Sequence, residues 1–381
     1  MKNYTLSGCV VIRNEQDYIE GCLNRLYWLC DEIVIIDTNS TDNTHKVVED
    51  WIKKYNVADR VIFEKVGNKF HDQNDLFSFG PAKTYAFSRA TKDYVIWQDG
   101  SDLVEKPKEL KKLFQEVTAK SHPVSFIIPT SIAENTSFPR VRITPRVGAL
   151  MVGECHEVMR RDPKWKRCFV KSVITNRRNA ISLDRNLKIL LKDWNVNNNK
   201  SRRNAFYLGN TYYGLQDLEN ALKWFKYRAF DFKDKDYFKE ETFKSAEMVA
   251  DLTLILSRSG KANLEDVPGI ANSMIKYFPE RYEGYYYKGM YFMEKLDWEK
   301  ALKCLNQFDK CKVPKNVVLW LNPQIYKNAA YIMQIQKCET NLKYKGVLQP
   351  DEIIDGSQFN INTGQRRNSG TYTPGTTSGI Y

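Results

Sequence analysis

Asp31-Glu-Ile-Val-Ile-Ile-Asp-Thr-Asn-Ser-Thr-Asp-Asn-Thr44 begins as an apolar, β-branched run and then turns at once into acids, amides and hydroxyls. Ile33 to Ile36 reads as a strand buried on both faces, because a short uninterrupted apolar run bounded by turn formers is what a covered parallel strand requires. Ser40 or Thr41 can cap a following helix that runs through Tyr55, since a hydroxyl accepts from the free amides of the first turn. Strand, polar turn and helix make one β-turn-α unit, and the fold depends on whether the neighbouring segments repeat it.

They do. Upstream, Leu6 to Ile12 reads as a strand, and Asp17 to Leu29 as a helix with Ile19, Cys22, Leu23, Leu26 and Leu29 at helical spacing. Downstream, Val61 to Phe63 is the third strand, Pro81 opens a helix ending near Ala90, and Tyr94 to Trp97 is the fourth strand. Pro107 opens another helix, and Val124 to Pro129 is the fifth strand. The alternation predicts an α/β domain with a mostly parallel, Rossmann-like, doubly wound sheet. From Arg140 to Met159 the pattern becomes hairpin-like about a turn at Val147-Gly148.

The formal net charge of +12 is concentrated in one place: Arg160 to Arg203 carries 14 Lys and Arg against 3 Asp. Such a stretch is a solvated surface, or it meets a polyphosphate, an acidic acceptor or a nucleic acid. No nucleic-acid-binding motif lies in it, so nucleic acid is not an expected partner. Beyond Arg203 the chain reads as helical and repeats itself. Asp217-Leu-Glu-Asn-Ala-Leu-Lys223 matches Asp297-Trp-Glu-Lys-Ala-Leu-Lys303, with Gly209 and Gly289, Tyr212 and Phe292, and Phe225 and Leu305 in the same register. Small residues at fixed points let paired helices approach, and bulky ones fill the gap. The expected plan is an α/β domain over 1–160, a basic connector over 161–203, all-α helical repeats over 204–346, and a disordered Gly, Ser, Thr and Asn-rich tail over 347–381.

Several classes are excluded. No run approaches the roughly 18 to 20 apolar residues of a membrane span, and Met1-Lys-Asn-Tyr-Thr-Leu-Ser7 lacks the apolar core of a secretory signal. A soluble, cytoplasmic protein is expected. The cysteines are scattered with no Cys-x-x-Cys pair, which suits reduced thiols. Gly8 stands alone after the first strand, against a dehydrogenase, and no phosphate-cradling glycine loop supports a nucleotidyltransferase.

Three strand ends carry polar clusters: Arg13-Asn14-Glu15, Asp37 to Asp42, and Asp99-Gly-Ser-Asp102. Ligands of open α/β sheets sit outside the carboxyl ends of strands, so the three should converge on one crevice. Acids there suit a divalent cation that neutralises the charge building on a diphosphate leaving group.

Ile12-Arg-Asn-Glu15, the stretch from Asp31 to Thr44, Phe77-Ser-Phe-Gly-Pro-Ala-Lys83, Trp97-Gln-Asp-Gly-Ser-Asp102 and Gly153-Glu-Cys-His-Glu157 resemble, in order, the blocks of family-2 glycosyltransferases of GT-A fold. The resemblance covers about residues 5–310. A GT-A domain followed by tetratricopeptide-like repeats is similar in layout to bacteriocin peptide S-glycosyltransferases. The resemblance implies an inverting transfer from a nucleotide sugar, UDP-linked, to a peptide, protein or glycan acceptor with Mn²⁺ or Mg²⁺ as cofactor. It implies that Asp37 accepts from the uracil, that Arg13, Asn14, Glu15 and Asp42 border uracil or ribose, and that Lys83 meets the diphosphate where relatives commonly have Arg. Asp99 would hold the metal, with Asp102 and His156 as further candidate ligands, and Glu157 is the expected catalytic base. Ser101 stands where the family carries its second motif aspartate. Asp102 therefore reaches the ion from one position further on, or through water, or the ion is held weakly and the basic stretch shares the neutralisation. Ser101 also favours an alternative, a catalytically degenerate domain that acts as a scaffold through its repeats. A homodimer formed through the repeats stands beside the monomer as an expectation.

Overall fold

A computed structural model describes residues 3–133, 136–177, 182–196, 198, 201–229, 239–311, 325 and 328–343. The chain divides into two compact units, residues 1–199 and 200–380. In the first, strands β1 (Leu6–Ile12), β2 (Glu32–Asp37), β3 (Val61–Lys65) and β4 (Tyr94–Asp99) pair in parallel in the order β3-β2-β1-β4. Helices α1 (Ile19–Leu29), α2 (Thr44–Tyr55), α3 (Phe79–Arg89) and α4 (Pro107–Lys120) lie between or after them along the chain. Successive strand residues face opposite ways. Ile33 and Ile35 therefore pack with Leu23, Trp51 and Phe114 of α1, α2 and α4, while Val34 and Ile36 pack with Ala86 and Phe87 of α3. Helices on both faces are why the strand is apolar without interruption.

Beyond β4 the sheet becomes mixed. Strands β5 (Asp102–Val104), β6 (Val124–Ala133) and β7 (Thr136–Pro145) are followed by β8 (Met151–Val152), β9 (Val158–Met159), β10 (Lys166–Phe169) and β11 (Ile174–Asn176). β7 lies antiparallel between β4 and β6, the order continues through β11 to β5, and β10 also pairs with β6. The expected hairpin over Arg140 to Met159 is corrected here. The turn at Val147-Gly148 joins β7 to β8, strands of two different sheets, and β8 pairs with β9 instead. Period-two alternation reads the same whichever strand is the partner. The basic stretch is likewise no bare connector, since β10, β11 and α5 (Leu183–Asn195) are built from it within the first unit. α2 starts at Thr44, later than the Ser40 or Thr41 cap implies, and α3 starts at Phe79, before Pro81. A first-turn amide has no partner inside its helix, so Pro81 is tolerated there.

The second unit is helical: α6 (Arg202–Gly214), α7 (Leu218–Ala229), α8 (Lys239–Ser257), α9 (Asp266–Tyr277), α10 (Glu283–Glu294), α11 (Trp298–Leu305) and α12 (Asn328–Lys343), each packed on the next. The repeated residues have matching tasks. A Cβ on Gly209 would lie 2.8 Å from the Phe225 ring, and one on Gly289 would lie 2.9 Å from Leu305. Asp217 accepts from the Asn220 amide and Asp297 from the Lys300 amide, both at 3.1 Å, at the starts of α7 and α11. The expected tail over 347–381 lies outside the described residues. Among the described residues no helix is long and apolar enough to cross a membrane, and the cysteines are free.

Candidate active site

Parallel register sets Ile12 of β1 opposite Asp37 and Val11 opposite Asp99, so the two acids flank the carboxyl end of β1. The loops there are laced together. The Asn14 amide donates to Ser40 Oγ at 3.0 Å, Asn14 Oδ1 accepts from the Thr41 amide at 2.8 Å, and the Glu15 amide donates to Thr44 Oγ1 at 2.8 Å. Asn14 makes this turn at a φ of 55°, a left-handed conformation that asparagine tolerates. Asp37 is buried, and its carboxylate accepts from the Ser40 amide at 2.9 Å and the Ser40 hydroxyl at 2.5 Å, with His45 Nε2 at 3.0 Å. Asp42 accepts from the amide and hydroxyl of Thr44 and so starts α2. Burial pushes the Asp42 carboxyl up, but those bonds outweigh it and hold the group below its ordinary range. Arg13 turns to His71 and to Asp75, 3.6 Å away. Burial, then the Arg13 charge, keeps the His71 imidazole below its usual value.

A second group of side chains meets at the end of β4. Trp97 and Asp99 point to the α3 face, and Lys83 lies on the buried stripe of α3 with Ala86, Phe87 and Ala90. Lys83 Nζ is 2.7 Å from Asp99 Oδ1, 2.5 Å from Glu157 Oε1 and 4.3 Å from the centre of the Trp97 ring. Burial would discharge this lysine, but Asp99 and Glu157 outweigh it and raise its pKa. Partial burial likewise pushes the Asp99 carboxyl up, and Lys83 followed by Arg142 brings it below the ordinary carboxylate range. Glu157 arrives on the loop between β8 and β9, which turns at Gly153 with φ 106° and at His156 with φ 55°. A Cβ on Gly80 would sit 2.2 Å from the Gly153 carbonyl oxygen, and the Phe79 amide donates to Glu154 O at 3.0 Å. The absence of a side chain at Gly80 is thus what lets the Glu157 loop lie on α3. Glu15 joins the two groups, because a Cβ on Gly100 would lie 2.8 Å from its Cγ. From the basic stretch, Lys192 pairs with Asp72 at 3.0 Å and Arg185 lies over the Phe79 ring at 5.2 Å.

Asp102 departs from its expected role as a metal ligand. Its side chain is sealed from solvent, accepting from Arg142 at 2.8 Å, from the Asp99 amide at 3.1 Å and from Asn176 Nδ2 at 2.9 Å. Ser101 is buried and accepts from the same Asn176 amide at 3.1 Å. Arg142 also donates to Trp97 O and Thr130 Oγ1, and its guanidinium stacks 3.7 Å from the Trp97 ring centre. Among the described residues no group of three His, Cys, Asp or Glu side chains is arranged to hold a metal. Asp99, with 39% of its side chain in solvent, suits a cation held in the usual way at phosphate sites, by one carboxylate together with the ligand's own phosphate oxygens. Sequence reasoning missed Arg142, Trp97, His45 and His71. The spacing of Arg140 and Arg142 on one strand was the available signal, but spacing does not say which arginine is buried.

Residues 7–182, from β1 through β11, match the family model described as Glycosyl transferase family 2, and the fold of this first unit is GT-A-like. Among solved structures the chain is similar to S. aureus TarS 1–349 in complex with UDP-GlcNAc, at 13% identity over 89% of this chain and 91% of that one, TM-score 0.35. It is similar to S. aureus TarS at 14% identity over 88% of this chain and 55% of that one, TM-score 0.34. A third similarity, at 15% identity over 35% of this chain and 44% of that one with TM-score 0.24, is to glucosyl-3-phosphoglycerate synthase from Mycobacterium tuberculosis, solved with Mn²⁺, UDP and phosphoglyceric acid.

Proposed function

We propose that the first unit transfers a sugar from a UDP-linked donor to a peptide, protein or glycan acceptor, with inversion at the anomeric carbon, in the cytoplasm. What carries this reading is the junction of Asp99, Lys83 and Glu157 at the carboxyl ends of parallel strands, inside the segment that matches the family model. The donor's nucleoside lies against Arg13, Asn14, Glu15, Asp37 and Asp42, and its diphosphate faces Lys83. Glu157 takes the proton from a nucleophilic heteroatom of the acceptor as that atom bonds to the anomeric carbon. The bond from the anomeric carbon to the diphosphate oxygen breaks, and its electron pair leaves with the nucleoside diphosphate. The buried Lys83 ammonium meets that growing charge where little water screens it. A divalent cation, Mn²⁺ or Mg²⁺, held by Asp99 adds to the same neutralisation when bound. The helical unit, whose repeated pairs resemble tetratricopeptide repeats, binds the acceptor chain.

The test is release of UDP from a panel of UDP-sugars by the full chain in Mn²⁺, with melting temperature as a binding readout. Turnover of at least one sugar is expected, and the absence of both turnover and a thermal shift across the panel removes the reading. The sealed Asp102 and Ser101 favour a second one, a degenerate domain that binds a UDP-sugar without turning it over. Binding without turnover is its signature.

A further inference from the structure

We infer that Lys83 masks Glu157 in the free protein and that the donor's diphosphate unmasks it, so the base becomes available only once the donor is in place. This deepens the proposed transfer and rests on it. Glu157 Oε1, the atom that would take the acceptor's proton, lies 2.5 Å from Lys83 Nζ, and its side chain is only 11% exposed. The same ammonium contacts Asp99 at 2.7 Å, so one cation serves two carboxylates and the trio carries a net negative charge. Asp102 does not change that sum, because Arg142 balances it. A diphosphate arriving beside that metal-free, net-negative cluster is repelled unless cations, the Lys83 ammonium among them, turn to it.

Lys83 is built to turn. Its charge is a compact ammonium with three rotatable donors on a flexible four-carbon stem, without the fixed planar geometry of a guanidinium fork. The Trp97 ring, 4.3 Å from Nζ, attracts the ammonium without depending on either carboxylate and supports it as it moves. Donor binding therefore frees Glu157 Oε1 from its ion pair at the moment an acceptor proton has to be taken. Donor and Glu157 compete for one cation, and this competition is measurable without catalysis.

The experiment is calorimetric titration of UDP into the full chain in Mn²⁺ buffer, for wild type, Glu157→Gln, Lys83→Met and the double variant. Glu157→Gln should tighten UDP by roughly fivefold, as expected for removing one competing, partly screened ion pair. Lys83→Met should weaken UDP, and adding Glu157→Gln to it should change affinity by less than about twofold. Unchanged or weaker binding by Glu157→Gln overturns the inference. Equal tightening in the Lys83→Met background overturns it too, since loss of one negative charge would then explain the effect. If Lys83→Met does not fold by circular dichroism, Lys83→Gln takes its place in the cycle. Failure of the wild type to bind UDP overturns the transfer reading and this inference together, whereas binding without the predicted tightening overturns the inference alone.

Discussion

The carboxylate of Asp99 keeps 39% of its surface in water and leans on Lys83, whereas that of Asp102, later in the same turn, is closed off by Arg142 and Asn176. Identical side chains thus receive different chemistry from their partners. Asp99→Asn retains the shape but gives up the charge, so transfer should fall at least about a hundredfold while circular dichroism and melting stay near wild type. Unchanged turnover would take Asp99 out of the mechanism. Arg142→Met leaves Asp102 buried without its cation and should lower stability by about 3–5 kcal/mol, read from urea denaturation. An unmoved urea midpoint would mean that this pair does not hold the turn. Both acids were legible in the sequence as strand-end carboxylates. Which one faces water was not, because the cation that decides it lies on β7.

At the scale of elements, the site depends on how closely α3 and the β8–β9 loop approach. Gly80 meets the Gly153 carbonyl, which is backbone and has no rotamer with which to retreat. Gly80→Ala should therefore push the Glu157 loop away from Lys83, costing about 1–3 kcal/mol in a thermal melt and reducing transfer by more than the stability loss explains. An Ala variant with wild-type melting and transfer would show that the contact relaxes freely. The strand and helix runs of the parallel half were readable from apolar spacing, as was the Gly and bulky-residue pairing of the repeat. Strands β10 and β11 were not, because they are built from a polar, basic stretch whose parallel pairing with β6 leaves no local mark.

For the whole molecule, the two units should respond oppositely to acid. His71 has a folded pKa below its unfolded value near 6.5, so the unfolded chain binds a proton that the folded one refuses. Its contribution to the first unit is present above that value and is lost as pH falls toward the folded one. In the second unit burial raises Glu247 above 4.5 and Asp251 above 3.8, with Lys244 opposing part of the shift in each. Their contribution is fully present below the unfolded values and is lost as pH rises through the folded ones. Scanning calorimetry of the full chain should show the first unit's transition dropping relative to the second's between pH 7 and 5. Transitions that move in parallel would remove these groups as the cause.

The sequence by itself determined the alternation of strands and helices, the acids at strand ends and the in-register helical repeat. Each follows from local rules: which faces are buried, where a covered strand must stop, and where two helices need a small residue to approach. Tertiary structure alone decided that Lys83 joins Asp99 to Glu157, that Arg142 takes Asp102 out of solvent, and that a basic stretch becomes two strands and a helix. A buried charge is fixed by whichever counter-charge the fold brings to it, and that partner is set by chain topology, not by distance along the sequence.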